Sequence, residues 1–134
     1  MEKIITFSDG GARGNPGPAG IGAVLYDADK NKIAEISHYI GETTNNQAEY
    51  RALIAALRKA VELGAKEVVS YLDSELVVKQ LNREYKVKNA ELAPLFLDIH
   101  NISLSFKKVT FIHVPREKNK EADLLANEAM DRAR

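Results

Sequence analysis

The chain reads as an α/β protein: a mixed β-sheet flanked by helices, built from elements in the order β-β-β-α-β-α-α-β-α. Three observations carry that reading. Residues 3–9 alternate in the manner of a strand, with Ile5, Phe7 and Asp9 on one face and Ile4, Thr6 and Ser8 on the other. A long Ala- and Leu-rich stretch ending near Leu63 repeats its apolar residues at helical spacing. Immediately after it, residues 67–72 (E-V-V-S-Y-L) form a short apolar run of the kind found in buried central strands.

After the first strand, Gly10 to Gly20 is rich in Gly and Pro and reads as a loop. Residues 21–26 and 32–40 read as the next two strands, joined by a polar hairpin turn from Asp27 to Asn31, so the first three strands form a meander. Thr44 followed three residues later by Gln47 is a capping-box pattern that opens the first helix, and Gly64 stops it. The strand over 67–72 leads into a short helix from Ser74 to Leu81, with Asp73 or Ser74 as its N-cap. Arg83 to Lys88 is polar and basic. Asn89 is placed to cap a helix near 90–104, although Pro94 calls for a later start or a kink. Residues 108–114 alternate as a last strand, Pro115 to Lys120 is a charged loop, and a final helix covers about 119–132.

At 134 residues the chain fits one domain spanning 1–134, long enough to bury a core without disulfides. Lys plus Arg and Asp plus Glu both number 19, so bulk charge does not announce a polyanion binder, though a local basic patch can still exist. The absence of cysteine excludes thiol catalysis and cysteine-ligated zinc. The N-terminal apolar run is too short for a signal peptide or a membrane span, so a cytoplasmic protein with no membrane partner is expected.

Four carboxylates then demand an account. Asp9 ends the first strand just before Gly10-Gly11, which also suits a plain Asp-Gly turn. Glu49 lies in line with Ala52, Leu53, Ala56, Leu57 and Ala60, the apolar stripe of its helix; a dipole-favoured first-turn acid is the alternative. Asp73 ends the apolar strand and can be a cap. Asp123 lies in the first turns of the last helix, where the dipole also favours an acid. Taken together, two strands end in Asp and two helices begin near an acid. The carboxyl ends of sheet strands are where open α/β sheets build their sites. Oxygen-only ligands favour Mg²⁺ or Mn²⁺ over zinc.

The motifs around these acids resemble those of the type 1 ribonucleases H. They are S-D-G-G-A-R-G-N-P-G-P-A-G (Ser8 to Gly20), T-T-N-N-Q-A-E (Thr43 to Glu49), L-D-S (Leu72 to Ser74) and H-V-P-R-E-K-N-K-E-A-D-L-L-A-N (His113 to Asn127). They follow the family's order and span nearly the whole chain. The resemblance implies a ribonuclease H-like fold: a five-stranded mixed sheet, strands one to three antiparallel and the later two added in parallel, flanked by helices. It implies a monomeric endoribonuclease that hydrolyses the RNA strand of RNA–DNA hybrids, leaving 3′-hydroxyl and 5′-phosphate ends; whether duplex RNA is a further substrate the sequence leaves open. Asp9, Glu49, Asp73 and Asp123 become the catalytic, metal-binding set for two Mg²⁺ ions (Mn²⁺ as the alternative) that assemble with substrate. Gly11, Ala12, Asn15, Thr44, Asn45, Asn46, Gln47 and Ser74 become the substrate-binding set.

Three departures mark the chain as a short form. The loop before Asp123, P-R-E-K-N-K-E-A, lacks the His that many members carry, leaving Arg116 or Glu117 as partial substitutes; His113 reads as a core or sheet-surface residue. The basic protrusion of longer members is absent, and Lys79, Arg83, Lys86 and Lys88 are what remains of a basic patch or a solvated helix end. Glu75 stands where many members have Gln.

Overall fold

The computed structural model describes residues 2–133. Its strands are β1 (Lys3–Ala12), β2 (Gly17–Asp27), β3 (Lys32–Thr43), β4 (Glu67–Leu72) and β5 (Lys108–His113). Its helices are α1 (Asn45–Glu62), α2 (Glu75–Leu81), α3 (Ala93–Ser103) and α4 (Lys120–Arg132), with a 3-10 turn at Arg116–Lys118. The sheet order is β3-β2-β1-β4-β5. β1–β2 and β2–β3 are antiparallel, whereas β1–β4 and β4–β5 are parallel. This is the five-stranded mixed sheet implied by the resemblance.

The parallel join at the centre sets the site. Ser8 on β1 is level with Leu72 on β4, so the residues that follow each, Asp9 and Asp73, lie at the same end of the β1–β4 pairing; Asp73 leaves the sheet there, whereas Asp9 does not end its strand but stays in β1 opposite Gly22. The two faces of the sheet carry different helices. Towards α1 lie Ile4, Leu25, Tyr50, Leu53, Leu57, Val68 and Leu72, all fully buried in one core that α2 and α3 extend. The opposite face is covered in part by α4, whose Ala122, Ala126 and Ala129 are buried. The stripe Ala52, Leu53, Ala56, Leu57 and Ala60 inferred from the sequence is wholly buried.

The segment read as a loop over Gly10 to Gly20 is mostly strand. β1 continues to Ala12 and β2 begins at Gly17, leaving residues 13–16 to turn. Gly10 and Gly20 there serve helix packing, whereas Gly14, at φ 105°, serves the turn. A Cβ on Gly10 would collide with the α1 backbone, coming within 2.7 Å of the Glu49 nitrogen. On the other face a Cβ on Gly22 would lie 2.9 Å from the Leu125 Cβ and closer still to the α4 backbone. Composition alone does not separate glycine used for a turn from glycine used for close approach.

The start of α3 also differs. Asn89 does not cap it: the helix begins at Ala93 with Pro94 in its first turn, where a missing N–H costs nothing. The Asn89 side chain instead accepts a hydrogen bond from the Glu91 N–H at 2.7 Å, forming a separate turn. Of the two cap candidates for α2, Ser74 is the cap, its hydroxyl accepting from the Val77 N–H at 3.3 Å. The last strand ends at His113 instead of 114, and the charged loop after it contains the 3-10 turn. His113 is exposed, which settles it as a sheet-surface residue.

Because α4 is held at backbone distance from β2, Gly22→Ala is expected to destabilise the fold by about 1–3 kcal/mol through overpacking. Urea unfolding measures this; an unchanged midpoint would mean that α4 adapts without cost.

Candidate active site

Asp9 arrives from the end region of β1, Glu49 from the first turns of α1, Asp73 from the residue after β4, and Asp123 from the first turns of α4. One carboxylate oxygen from each of Asp9, Glu49 and Asp73 lies within 4.8 Å of the others. Asp123 stands outside that trio but faces Asp9, and all four acids line one cleft of about 460 Å³. Asp9 is buried, and the Glu49 Oε2 atom is buried with no hydrogen-bond partner in the protein.

The electrostatics follow from this crowding. Burial, then contact with Asp123, then the charge of Asp73 push the Asp9 carboxyl up to about 7. Burial, then the charge of Asp9, hold Glu49 well above the usual carboxylate range.

Of the expected substrate-binding residues, Gly11, Ala12, Asn45, Asn46 and Ser74 line the cleft, whereas Asn15, Thr44 and Gln47 do not. Those three are engaged in holding its wall. The Asn15 Oδ1 accepts from the Asn45 N–H at 3.0 Å, and the Asn45 Oδ1 accepts from the Ala12 N–H at 2.7 Å, tying the β1–β2 turn to the start of α1. The Thr44 hydroxyl caps α1 by accepting from the Gln47 N–H at 3.2 Å. The reciprocal half of the capping box does not form, because the Gln47 side chain turns to Thr43 and Glu91.

Arg116 reaches into the cleft and lies 3.5 Å from Asp123, while Glu117 does not line it. Glu75 also lies outside the lining and pairs with Lys79 at 3.5 Å.

Sequence reasoning missed Arg13, Asn119 and Asn127. Arg13 lines the cleft. Asn127, one helical turn beyond Asp123, donates to the Asp123 carbonyl at 2.9 Å and to its carboxylate at 3.4 Å; the i, i+4 spacing was the signal available. Asn119 is 1% exposed, and its Nδ2 donates to the Ser8 carbonyl at 2.9 Å and to Asp73 Oδ2 at 3.1 Å. Its backbone carbonyl accepts from the Asp123 N–H at 3.1 Å, while its side-chain Oδ1 is buried without a partner in the protein. One buried residue therefore links the strand beside Asp9, the Asp73 carboxylate and the start of the helix that carries Asp123, through its side-chain Nδ2 and its main chain. Inside a run of charged residues it had no sequence signature.

A family profile described as reverse transcriptase-like matches residues 7–129. A ribonuclease H from Erythrobacter litoralis is 36% identical over 146 residues, covering 98% of each chain. The chain belongs to the ribonuclease H family. Among solved structures, the N-terminal ribonuclease H domain of Rv2228c from Mycobacterium tuberculosis has a TM-score of 0.93 and 48% identity, covering 96% of this chain and 99% of that one. LC11-RNase H1 in complex with an RNA/DNA hybrid has a TM-score of 0.92 and 51% identity, covering 97% and 98%. The chain spans about a third (36%) of the length of the full mycobacterial protein Rv2228c, which is called bifunctional.

The ribonuclease H family is metal-dependent, and this cluster suits a divalent cation: its donors are all carboxylate oxygens, one of them is buried without a partner, and its acids resist ionising together.

Both the crowded acids and Asn119 can be probed by substitution. Asp9 and Glu49 are both shifted upward, so in the metal-free protein the cluster's destabilising charge is absent below about pH 4 and develops as pH rises through about 7. Asp9→Asn is therefore expected to raise the metal-free thermal midpoint more at about pH 8 than at about pH 5, each tenfold change in proton affinity being worth about 1.4 kcal/mol. An equal gain at both would contradict the assignment. Asn119→Ala strips a donor from the Ser8 carbonyl and from Asp73; a loss of about 1–3 kcal/mol is expected in chemical unfolding, together with weaker divalent-cation binding by calorimetry.

Proposed function

We propose that the chain is an endoribonuclease that hydrolyses the RNA strand of RNA–DNA hybrids, leaving 3′-hydroxyl and 5′-phosphate ends. The observation that carries this reading is the trio Asp9, Glu49 and Asp73, with oxygens inside 4.8 Å, in a cleft that Asp123 completes. Asp9, Glu49, Asp73 and Asp123 would hold two divalent ions, Mg²⁺ by preference and Mn²⁺ as the alternative. When bound, such ions supply a water of lowered pKa and neutralise the charge that develops on the leaving oxygen.

The chain's own residues position the substrate around that centre. A hybrid differs from duplex DNA by its 2′-hydroxyls, which face the minor groove. Gly11 and Ala12 offer backbone to the cleft, and Asn45, locked by its bonds to Ala12 and Asn15, fixes the shape of the wall. Asn46 is exposed at the rim and suits contact with the RNA groove. The start of α1 suits a DNA phosphate. The Asn45 and Gln47 N–H groups are already used by Asn15 and Thr44, and that of Ala48 by the Thr44 carbonyl, so Asn46 supplies the N–H at this end for a phosphate. Ser74 caps α2 at the cleft edge, which holds Asp73 at the strand-to-helix junction.

In this reading the 134 residues act as one catalytic domain, monomeric and cytoplasmic.

End-labelled hybrid, duplex RNA and duplex DNA, each with Mg²⁺ or Mn²⁺, test the proposal. Cleavage of the hybrid's RNA strand is expected. Asp9→Asn, Glu49→Gln and Asp73→Asn are each expected to lose more than the about 10–100-fold typical of losing an outer partner of a metal site. Binding of hybrid without cleavage under either metal would make the chain a nucleic-acid-binding module, and cleavage that survives Asp9→Asn would misplace the centre.

A further inference from the structure

Ion pairs take up part of the chain's basic charge: Arg13 with Asp131, Lys32 with Glu35 and Glu121, Lys59 with Glu62, Lys66 with Glu2, Lys79 with Glu75. A group of basic side chains outside those pairs gathers beneath α3. A cavity of about 230 Å³ opens there between the end of α2, α3 and β5. Phe96, Phe106 and Phe111 form apolar walls, and Arg83, His100, Lys107 and Lys108 bring the basic groups. No carboxylate lines it, and among the described residues none of these four basic groups joins an ion pair.

Arg83 is held there at a conformational cost. Its φ is 63°, in the left-handed region that glycine or asparagine fills more easily, just after the last turn of α2. From that position its guanidinium lies 3.3 Å from the His100 Nδ1, so two potential cations share one edge of the cavity. A neighbouring groove of about 520 Å³ shares Arg83, Phe96 and His100 and adds Lys86 and the half-exposed Tyr85.

The cavity is separate from the carboxylate cleft. In the strand register Lys108 is level with Glu67 at the start of β4, whereas His113 is level with Leu72 beside Asp73. Five residues at about 3.3 Å each put the two ends about 17 Å apart.

We propose that this cavity binds a nucleotide, its base against the phenylalanines and its phosphate held by Arg83 with His100. Aromatic side chains accept any base on its π-face, and a guanidinium meets a phosphate with two parallel hydrogen bonds. The cavity is smaller than the about 300–1,000 Å³ of drug-sized sites, which suits one ring system with the phosphate left at the rim. The nucleotide is either free or the unpaired end of a nucleic-acid strand, whose next residue would run into the neighbouring groove. The proposal does not rest on the hydrolytic reading, and its test reads binding alone.

Amide chemical shifts of the isotope-labelled protein, in chelator so that the carboxylate cleft holds no metal, provide that readout. Adenosine 5′-monophosphate is expected to give saturable shifts at Arg83, Phe96, His100 and Lys107, with adenosine or inorganic phosphate alone at least about tenfold weaker. Arg83→Gly removes the guanidinium while relieving the backbone, so affinity is expected to fall about fivefold or more with no drop in the thermal midpoint. The double substitution Lys107→Gln with Lys108→Gln repeats the test without touching α2 and is expected to weaken binding as well. A single-stranded oligonucleotide that binds more tightly than the mononucleotide assigns the site to a strand end; equal or weaker binding assigns it to a free nucleotide. No saturable shift up to about 10 mM, or shifts confined to the carboxylate cleft, or affinity unchanged in both variants, overturns the proposal.

Discussion

Backbone contact between helix and sheet, made at glycine, is the constraint on which the cleft depends. Side chains alternate along β1, so Gly10 faces α1 while Asp9, opposite Gly22, faces α4. With hydrogen at Gly10, α1 comes close enough for Glu49 to approach Asp9 from one side. With hydrogen at Gly22, α4 comes close enough for Asp123 to approach from the other. The parallel pairing of β1 with β4 then adds Asp73 at the same level. Four carboxylates on four elements meet because two helices touch the sheet without side chains in between. Any methyl group at those points moves a helix, and one acid with it.

The same arrangement is costly to the empty fold. Like charges in a buried cluster oppose each other, and the result is visible in Asp9, held near 7, and in the unpartnered Oε2 of Glu49. The surrounding hydrogen bonds fix positions without removing the repulsion. Asn119 contributes one donor to Asp73, Asn127 steadies Asp123, and Arg116 supplies a guanidinium at 3.5 Å from an exposed position. A cation that binds the folded chain and not the unfolded one recovers stability by mass action. Local rules of burial are broken here and kept almost everywhere else, which is the pattern expected of a functional site.

What could be read from the sequence was what has a period or a fixed spacing. The apolar run at 67–72 is β4, unchanged in bounds, and the stripe from Ala52 to Ala60 is the buried face of α1. Glu49 stood out because it opens an apolar stripe, and that anomaly needs no structure to see. Glycine in the first hairpin misled, since a packing glycine and a turning glycine look alike in one dimension. Asn89 misled because its side chain can close a turn as well as cap a helix, and Pro94 decided between them. Gln47 matched a capping box, but Glu91, distant in sequence, competed for its amide. Asn119 carried no signal at all: its importance comes from contacts with Ser8 and Asp73, 111 and 46 residues away.

Bulk neutrality, finally, is the wrong quantity for judging whether such a chain meets nucleic acid. The 19 basic and 19 acidic residues cancel in sum but not in place. The cleft at the carboxyl ends of β1 and β4 gathers four acids, so a phosphodiester approaching it alone is repelled. A divalent ion approaching alone finds carboxylates that favour protonation near neutral pH. In the proposed reaction each partner removes the obstacle to the other, so metal and substrate bind with positive coupling, and the coupling is reciprocal by thermodynamic necessity. Net charge sets solubility and long-range approach; the local sign at the strand ends sets the order in which the site can fill. In the proposed reaction that order would be joint occupancy, with the hybrid's phosphate and the ions each completing the other's ligand set.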